Sequence, residues 1–200
     1  MARRKEIGRD KIIDVAYKLA IKDGLESLTA RNIAKAGQFS TQPIYLDFSN
    51  MDDLRAKVLD RISEKLRHET LQKHYTGKPL IDLDLAYIEF AEQHAKFFQA
   101  LFVFGKFGNG IITDMLISLG EEKFKEQYPN TGFDEKRINH IVIANWISTI
   151  GMASLLVNKI ATFNQQQIVS VVEAQIKDAM VNDHLEEMGE NPLFKTSGKK

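Results

Sequence analysis

Ser40, Thr41, Gln42 and Tyr45 place two hydroxyls, an amide and a phenol within six residues, around Pro43. These groups exchange hydrogen bonds without carrying charge. A glutamine amide can pair bidentately with adenine, a threonine can touch a thymine methyl or a phosphate, and a tyrosine can donate to a phosphate. Thr29 offers a further hydroxyl of the same kind. The chemistry such a set supports is the reading of a nucleic-acid duplex.

Side chains that read a duplex must be held on a short helix braced by another. Ile12, Ala16 and Leu19 recur at helical spacing from about Arg9, and Gly24 supplies a left-handed stop after Asp23. Thr29 can cap a second helix carrying Ile33 and Ala34 and ending at Ala36-Gly37, and Ser40 can cap a third that runs through Leu46. Pro43 is then the third helical residue, where no intrahelical acceptor is lost. Phe39, Ile44 and Phe48 would face inward with Ile33, Leu28 and Leu19, leaving Thr41, Gln42 and Tyr45 outward. Asn50 and Asp53 resemble a capping box and launch a fourth helix on Leu54, Val58, Ile62 and Leu66. Four helices thus precede Tyr75. Two-helix corners are common and mostly do not touch DNA, so an ordinary packed pair with polar caps is the competing reading.

The break at Thr76-Gly77-Lys78-Pro79 marks an internal boundary. Beyond it the pattern predicts helices over about 80–104, 111–127, 134–160 and 165–185, with connectors at 105–110 and 128–133. No segment alternates as a strand. The predicted fold is all-α: an N-terminal three-helix helix-turn-helix head (1–50), a C-terminal helical bundle (51–188) and a flexible tail (189–200), about nine helices in all. Residues 141–157 are nearly all apolar, but Asn145, Ser148, Thr149 and Ser154 interrupt them, which predicts a buried bundle helix rather than a membrane span.

The chain has 27 basic and 27 acidic residues, a balance that excludes binding nucleic acid by bulk charge. Residues 1–50 carry nine basic side chains against six acidic ones, an excess concentrated in the arm of Arg3, Arg4 and Lys5. With no cysteine and no apolar segment behind the basic start, the expected setting is a cytoplasm. There is no H-E-x-x-H, no phosphate loop and no G-x-S-x-G, and His68, His74, His94, His140 and His184 lack metal-ligand spacing. No enzyme activity, metal or cofactor is expected.

The order Ile33-Ala34, Gly37, Ser40, Ile44-Tyr45, Phe48, Asp53-Leu54 resembles the N-terminal signature of the tetracycline-repressor (TetR) family of transcriptional regulators. The resemblance is specific over about residues 9–60; beyond that it covers helix number, helix lengths and size. Three positions depart from the family pattern. Gly37-Gln38 replaces Ala-Gly in the turn, Asp47 stands where histidine is common, and Met51 stands where a phosphate-binding lysine is frequent.

The resemblance implies DNA-binding residues at Arg3, Arg4, Lys5, Thr29, Ser40, Thr41, Gln42, Pro43 and Tyr45. It also implies a small-molecule pocket in the middle helices. Tyr87, Phe90, His94, Phe97, Phe98, Phe102, Phe107, Met115, Trp146 and Met152 would line it and suit an apolar or aromatic effector. For any single aromatic, plain core filling competes with that role. Finally, it implies a homodimer through helices 134–160 and 164–185. Ser148, Gly151 and Ser154 would give close approach on one helix, and Ile168, Val172, Ile176 and Ala179 an apolar stripe on the other. Two reading helices would address successive major grooves about 34 Å apart on a palindromic operator. The function expected is a ligand-released regulator, a repressor. The alternative is a helical ligand-binding or interaction protein whose DNA head is non-functional.

Overall fold

Ile12, Ile13, Ala16 and Ala20 fall on one side of a helix spanning Arg9–Asp23 (α1), and that stripe organises the first part of the molecule. The structure, a computed structural model, describes residues 7–103 and 110–186. Arg3, Arg4, Lys5, Phe107 and the expected tail 189–200 lie outside the described residues. Among the described residues there is no strand. The α-helices after α1 are Ala30–Gly37 (α2), Gln42–Asp47 (α3), Met51–Lys65 (α4), Pro79–Gln93 (α5), Ala95–Phe98 (α6), Gly110–Gln127 (α7), Glu135–Val157 (α8) and Gln165–Val181 (α9). The fold is all-α, a helix-turn-helix head with a helical bundle.

The chain divides into two compact units. The first joins the residues up to Lys65 with His94–Ile111, and the second joins Leu66–Gln93 with the residues from Ile112 onward. In the first unit α1 packs against α2, α3, α4 and α6. Its core is Ile12, Ala16, Leu28, Ile33, Ile44, Leu54, Val58 and Ile62, closed by Phe97, Phe98 and Leu101. Gly24 ends α1 at φ 84°, and a side chain there would approach the Lys96 carbonyl oxygen at 3.6 Å.

One expected helix over 80–104 is in fact two. At His94 the backbone takes φ −127° and ψ 47°, after which α6 and a π-helical turn Gln99–Val103 follow. Neither proline nor glycine marks the break. Its physical reason is packing, because Phe97, Phe98 and Leu101 are 0–1% exposed in the core of the first unit and take their direction from α1 rather than from α5. The expected ends of α8 and α9 also shorten, to Val157 and Val181.

In the second unit α5 packs on α8 and α9, and α8 on α9. Every residue of α5 from Leu80 to Ile88 is buried, including Asp82 and Asp84. Asn164 and Gln167 close a reciprocal capping box that starts α9. Gly120 of α7 lets Val142 of α8 approach, since a side chain there would lie 2.6 Å from Val142 Cγ1. By length and mean hydropathy alone α8 could cross a membrane. It instead buries nine residues, the polar Asn145 and Thr149 among them.

Candidate nucleic-acid interface

The turn between α2 and α3 is closed by two backbone bonds, Phe39 N to Ala34 O at 3.0 Å and Gln38 N to Lys35 O at 3.3 Å. This is the Schellman pattern, and it needs one left-handed residue. Gln38 supplies it, at φ 57° and ψ 43°. The Phe39 ring folds back over Gly37, where an added Cβ would meet Cε1 at 2.0 Å. The order Gly37-Gln38 is therefore coherent: glycine stands where an aromatic ring lies on the backbone, and glutamine accepts the strained angle.

Thr29 caps α2 by accepting from Asn32 N at 3.2 Å. Ser40 does not cap α3. The helix starts at Gln42 after Thr41, which is itself helical and makes no side-chain cap bond, so the expected start lies one residue early. Pro43 consequently occupies the second helical position, where its missing N–H again costs nothing. Asn50 Oδ1 accepts from Asp52 N and Asp53 N at 2.9 and 2.8 Å, while Asp53 reaches Ser49 N at 3.1 Å rather than the Asn50 amide. Two interlocked caps thus hold α3 and α4 at a tight corner.

On α3, Ile44 is 1% exposed and Phe48, which follows it, 3%. Thr29, Ser40, Thr41 and Gln42 are exposed, Pro43 is half-buried, and Tyr45 is 65% exposed. Leu46, not singled out in the sequence, is 76% exposed and sits one turn beyond Gln42, a spacing that could have disclosed it. A large apolar side chain left in water on a helix this short marks a contact surface.

Three arginines of this unit are paired internally. Arg9 lies 4.7 Å above the Phe48 ring and 3.8 Å from Asp53, Arg55 bonds Asp52 at 2.7 Å and the Leu28 carbonyl at 3.1 Å, and Arg61 bonds Asp14 at 2.5 Å. Arg31 and Lys35, one turn apart on α2, are exposed and pair with no other described residue. They are cations available to phosphate that the sequence reading passed over.

Residues 12–58 match the family described as bacterial regulatory proteins, tetR family. This is a TetR-family head. Over most of the chain the fold is similar to the transcriptional regulator SCO7222, a TetR from Streptomyces coelicolor, with a TM-score of 0.63 at 12% identity, covering 87% of this chain and 98% of that one. A TetR-like transcriptional regulator from Rhodococcus sp. RHA1 gives a TM-score of 0.55 at 15% identity, covering 90% and 98%. No curated protein matches the sequence. The match over residues 12–58 and the similarity of the fold agree on a head of the TetR type followed by a helical bundle.

The residues expected to line a pocket are divided between the units. Phe97 and Phe98 fill the core of the unit that contains the TetR-type head, where Phe98 stacks on half-buried Phe102 at 5.6 Å. His94 is half-buried there, and burial holds its imidazole below the usual range. Tyr87, Phe90, Met115, Trp146 and Met152 belong to the second unit, with the Tyr87 hydroxyl facing the Trp146 indole. The same unit has a buried polar cluster that the sequence did not reveal. Asn145 Nδ2 donates to both Asp84 oxygens at 3.0 Å, and Thr149 Oγ1 donates to Oδ1 at 2.9 Å. Burial pushes the Asp84 carboxyl up to about 7, against the pull of those bonds.

The apolar stripe expected for dimerisation is used within the chain. Ile168, Val172, Ile176 and Ala179 are at most 6% exposed. Apolar groups of α8 and α9 left in water include Ile147, Leu155, Val171 and Val181, with exposed Gly151 between the first two on α8.

Proposed function

We propose that this chain is a homodimeric, ligand-responsive repressor that binds a palindromic operator. The observation that carries the reading is the exposed face of α3, where Gln42, Tyr45 and Leu46 project while Ile44 and Phe48 anchor the helix. Gln42 reads adenine, Leu46 covers a neighbouring thymine methyl, and Tyr45, Thr41 and Thr29 fix the register on phosphates. Arg31 and Lys35 supply the charge that Met51 does not. The arm of Arg3, Arg4 and Lys5 adds to it.

One α3 contacts too few bases for specificity, so a two-fold dimer is needed. Its interface is formed by Ile147, Gly151 and Leu155 of α8 with Val171 of α9, whose exposure on one chain supports the assignment. The second unit is the sensor, with a small apolar or aromatic effector among Tyr87, Phe90, Met115, Trp146 and Met152. Release follows because the effector favours the arrangement of the dimer that does not fit the operator. A soluble cytoplasmic protein is the setting this role requires.

Selection of bound sites from random duplexes tests the reading. The expected product is a two-fold symmetric site whose affinity falls steeply with salt. An enriched site without symmetry refutes the dimer, and no enrichment refutes operator binding and leaves the helical ligand-binding protein.

A further inference from the structure

We propose that the buried cluster of Asp84, Asn145 and Thr149 anchors the head group of a cationic effector, an organic ammonium or amidinium carried on an apolar or aromatic body. This rests on reading the second unit as a sensor and names the chemical class it senses.

Asp84 is 4% exposed, and its only partners are neutral: the Asn145 amide and the Thr149 hydroxyl. No cation among the described residues pairs with it. A carboxamide at this position would make similar contacts without placing an acid in an apolar core, so mere packing gives no reason for a carboxylate. Asn145 Oδ1 is buried and has no partner. It cannot be relieved by turning the amide, because that would set the carbonyl oxygen against the Asp84 carboxylate. Thr113 Oγ1 on α7 is also buried without a partner. Gly120 of α7 lies against Val142 of α8 and Glu121 bonds Asn139, so α7 and α8 meet within this same unit.

The unmet demand at Asp84 and Asn145 is for hydrogen-bond donors. An N–H cation supplies donors and charge together, satisfying Asn145 Oδ1 and Asp84 in one step. Tyr87, one turn along α5, and Trp146, beside Asn145, give that cation aromatic neighbours. Tyr87 is the other titratable group close by, and burial keeps its phenol neutral. The open groove lined by Lys78, Tyr128, Glu173 and Lys177 lacks this character, because its Lys78 is already paired with Glu173.

Trp146 is the only tryptophan, so its fluorescence reports on the site directly. The full chain is titrated with phenylalkylamines from benzylamine to 4-phenylbutylamine, each paired with the alcohol of the same length, between pH 6 and 8. A head-group contact of this kind predicts that the best amine binds about tenfold or more tightly than its alcohol at pH 8. The amine stays charged throughout, so its affinity should fall as Asp84 takes up a proton below about 7, while that of the alcohol stays level. Asp84→Asn should abolish both the preference and the pH dependence. Equal binding of amine and alcohol by the unaltered chain, a level pH profile, or no response to any amine overturns the proposal whether or not the variant folds. Operator release, measured separately, tests the sensor reading. Release by the alcohols as readily as by the amines refutes the cation and keeps the sensor, and tight amine binding without release does the reverse.

Discussion

Leu46→Ala removes the most exposed apolar side chain of α3, and its effect on DNA can be worked from its position. The residue is 76% exposed, so most of its area is available to a partner. Fully burying a leucine is worth about 1.5–3 kcal/mol, and covering one thymine methyl uses roughly half of it, about 1 kcal/mol per half-site. Two half-sites give about 2 kcal/mol, a loss of about 30-fold in operator affinity. Folding should be unaffected, because Leu46 leaves no cavity and alanine is the better helix former. The assay is a double-mutant cycle by fluorescence anisotropy, pairing the unaltered chain and Leu46→Ala with operators carrying thymine or deoxyuracil. Removing the thymine methyl should weaken the unaltered chain at one position per half-site by a similar factor and leave the variant indifferent. If both proteins respond equally to every thymine-to-deoxyuracil change, Leu46 does not read a methyl and the orientation assigned to α3 is wrong.

Gly37→Ala should destabilise the head by about 1–3 kcal/mol, since the new methyl meets the Phe39 ring, whereas Gln38→Gly should stabilise it by up to about 1 kcal/mol by relieving a left-handed glutamine; denaturant midpoints measure both. Arg31→Ala should weaken all duplexes alike and lower the slope of log affinity against log salt by about 0.9 for each half-site, and a sequence-dependent loss would contradict a phosphate role. Asp82 is buried, which raises its carboxyl. Bonds from Thr76 N at 2.7 Å, Thr76 Oγ1 at 2.7 Å and Gly77 N at 3.2 Å outweigh this and hold it below the usual range. Its folded pKa is depressed, so its contribution is full above the unfolded carboxylate range and lost as pH falls through the folded value; Asp82→Asn should flatten that part of the acid unfolding curve.

Local chemistry made the head readable. Thr29, Asn50 and the Ile12, Ile33, Ile44 and Leu54 spacing act within a few residues, and the helices they predict are the ones observed. The start of α3 was misplaced because Ser40 is a good cap by type, whereas the chain enters the helix through Thr41 already in helical conformation, a consequence of the Schellman turn before it. The break at His94 was invisible for a different reason. The residues around it favour helix, and the interruption comes from the core around α1, distant in sequence. The Asp84 cluster escaped for the same cause: its members lie 61 and 65 residues apart, and no periodicity links an acid on α5 to an amide on α8. The apolar stripe on α9 was legible as a stripe, but spacing does not say whether it meets its own chain or a second one.

The two proposed sites are joined along the chain itself. α5, which carries Asp84 and Tyr87, ends at Gln93, and after His94 the backbone enters α6, whose Phe97 and Phe98 are buried in the unit of the head. Pulling either phenylalanine out of that core would cost about 3–5 kcal/mol by the measure of truncating one, so α6 stays with α1. The non-helical backbone at His94 is the cheaper place to absorb a change. Shifting a dimer from one part in a hundred to ninety-nine needs an effector that distinguishes the two arrangements by about 5.5 kcal/mol. A charged hydrogen bond is worth about 1.5–3 kcal/mol, and one in each of two subunits supplies about 3–6 kcal/mol. An apolar body that fits both arrangements equally adds affinity but no discrimination, whereas a buried acid lacking a cation in one arrangement and paired in the other discriminates directly. In the proposed mechanism the head group, rather than the aromatic body, is therefore the part of the effector that works the switch.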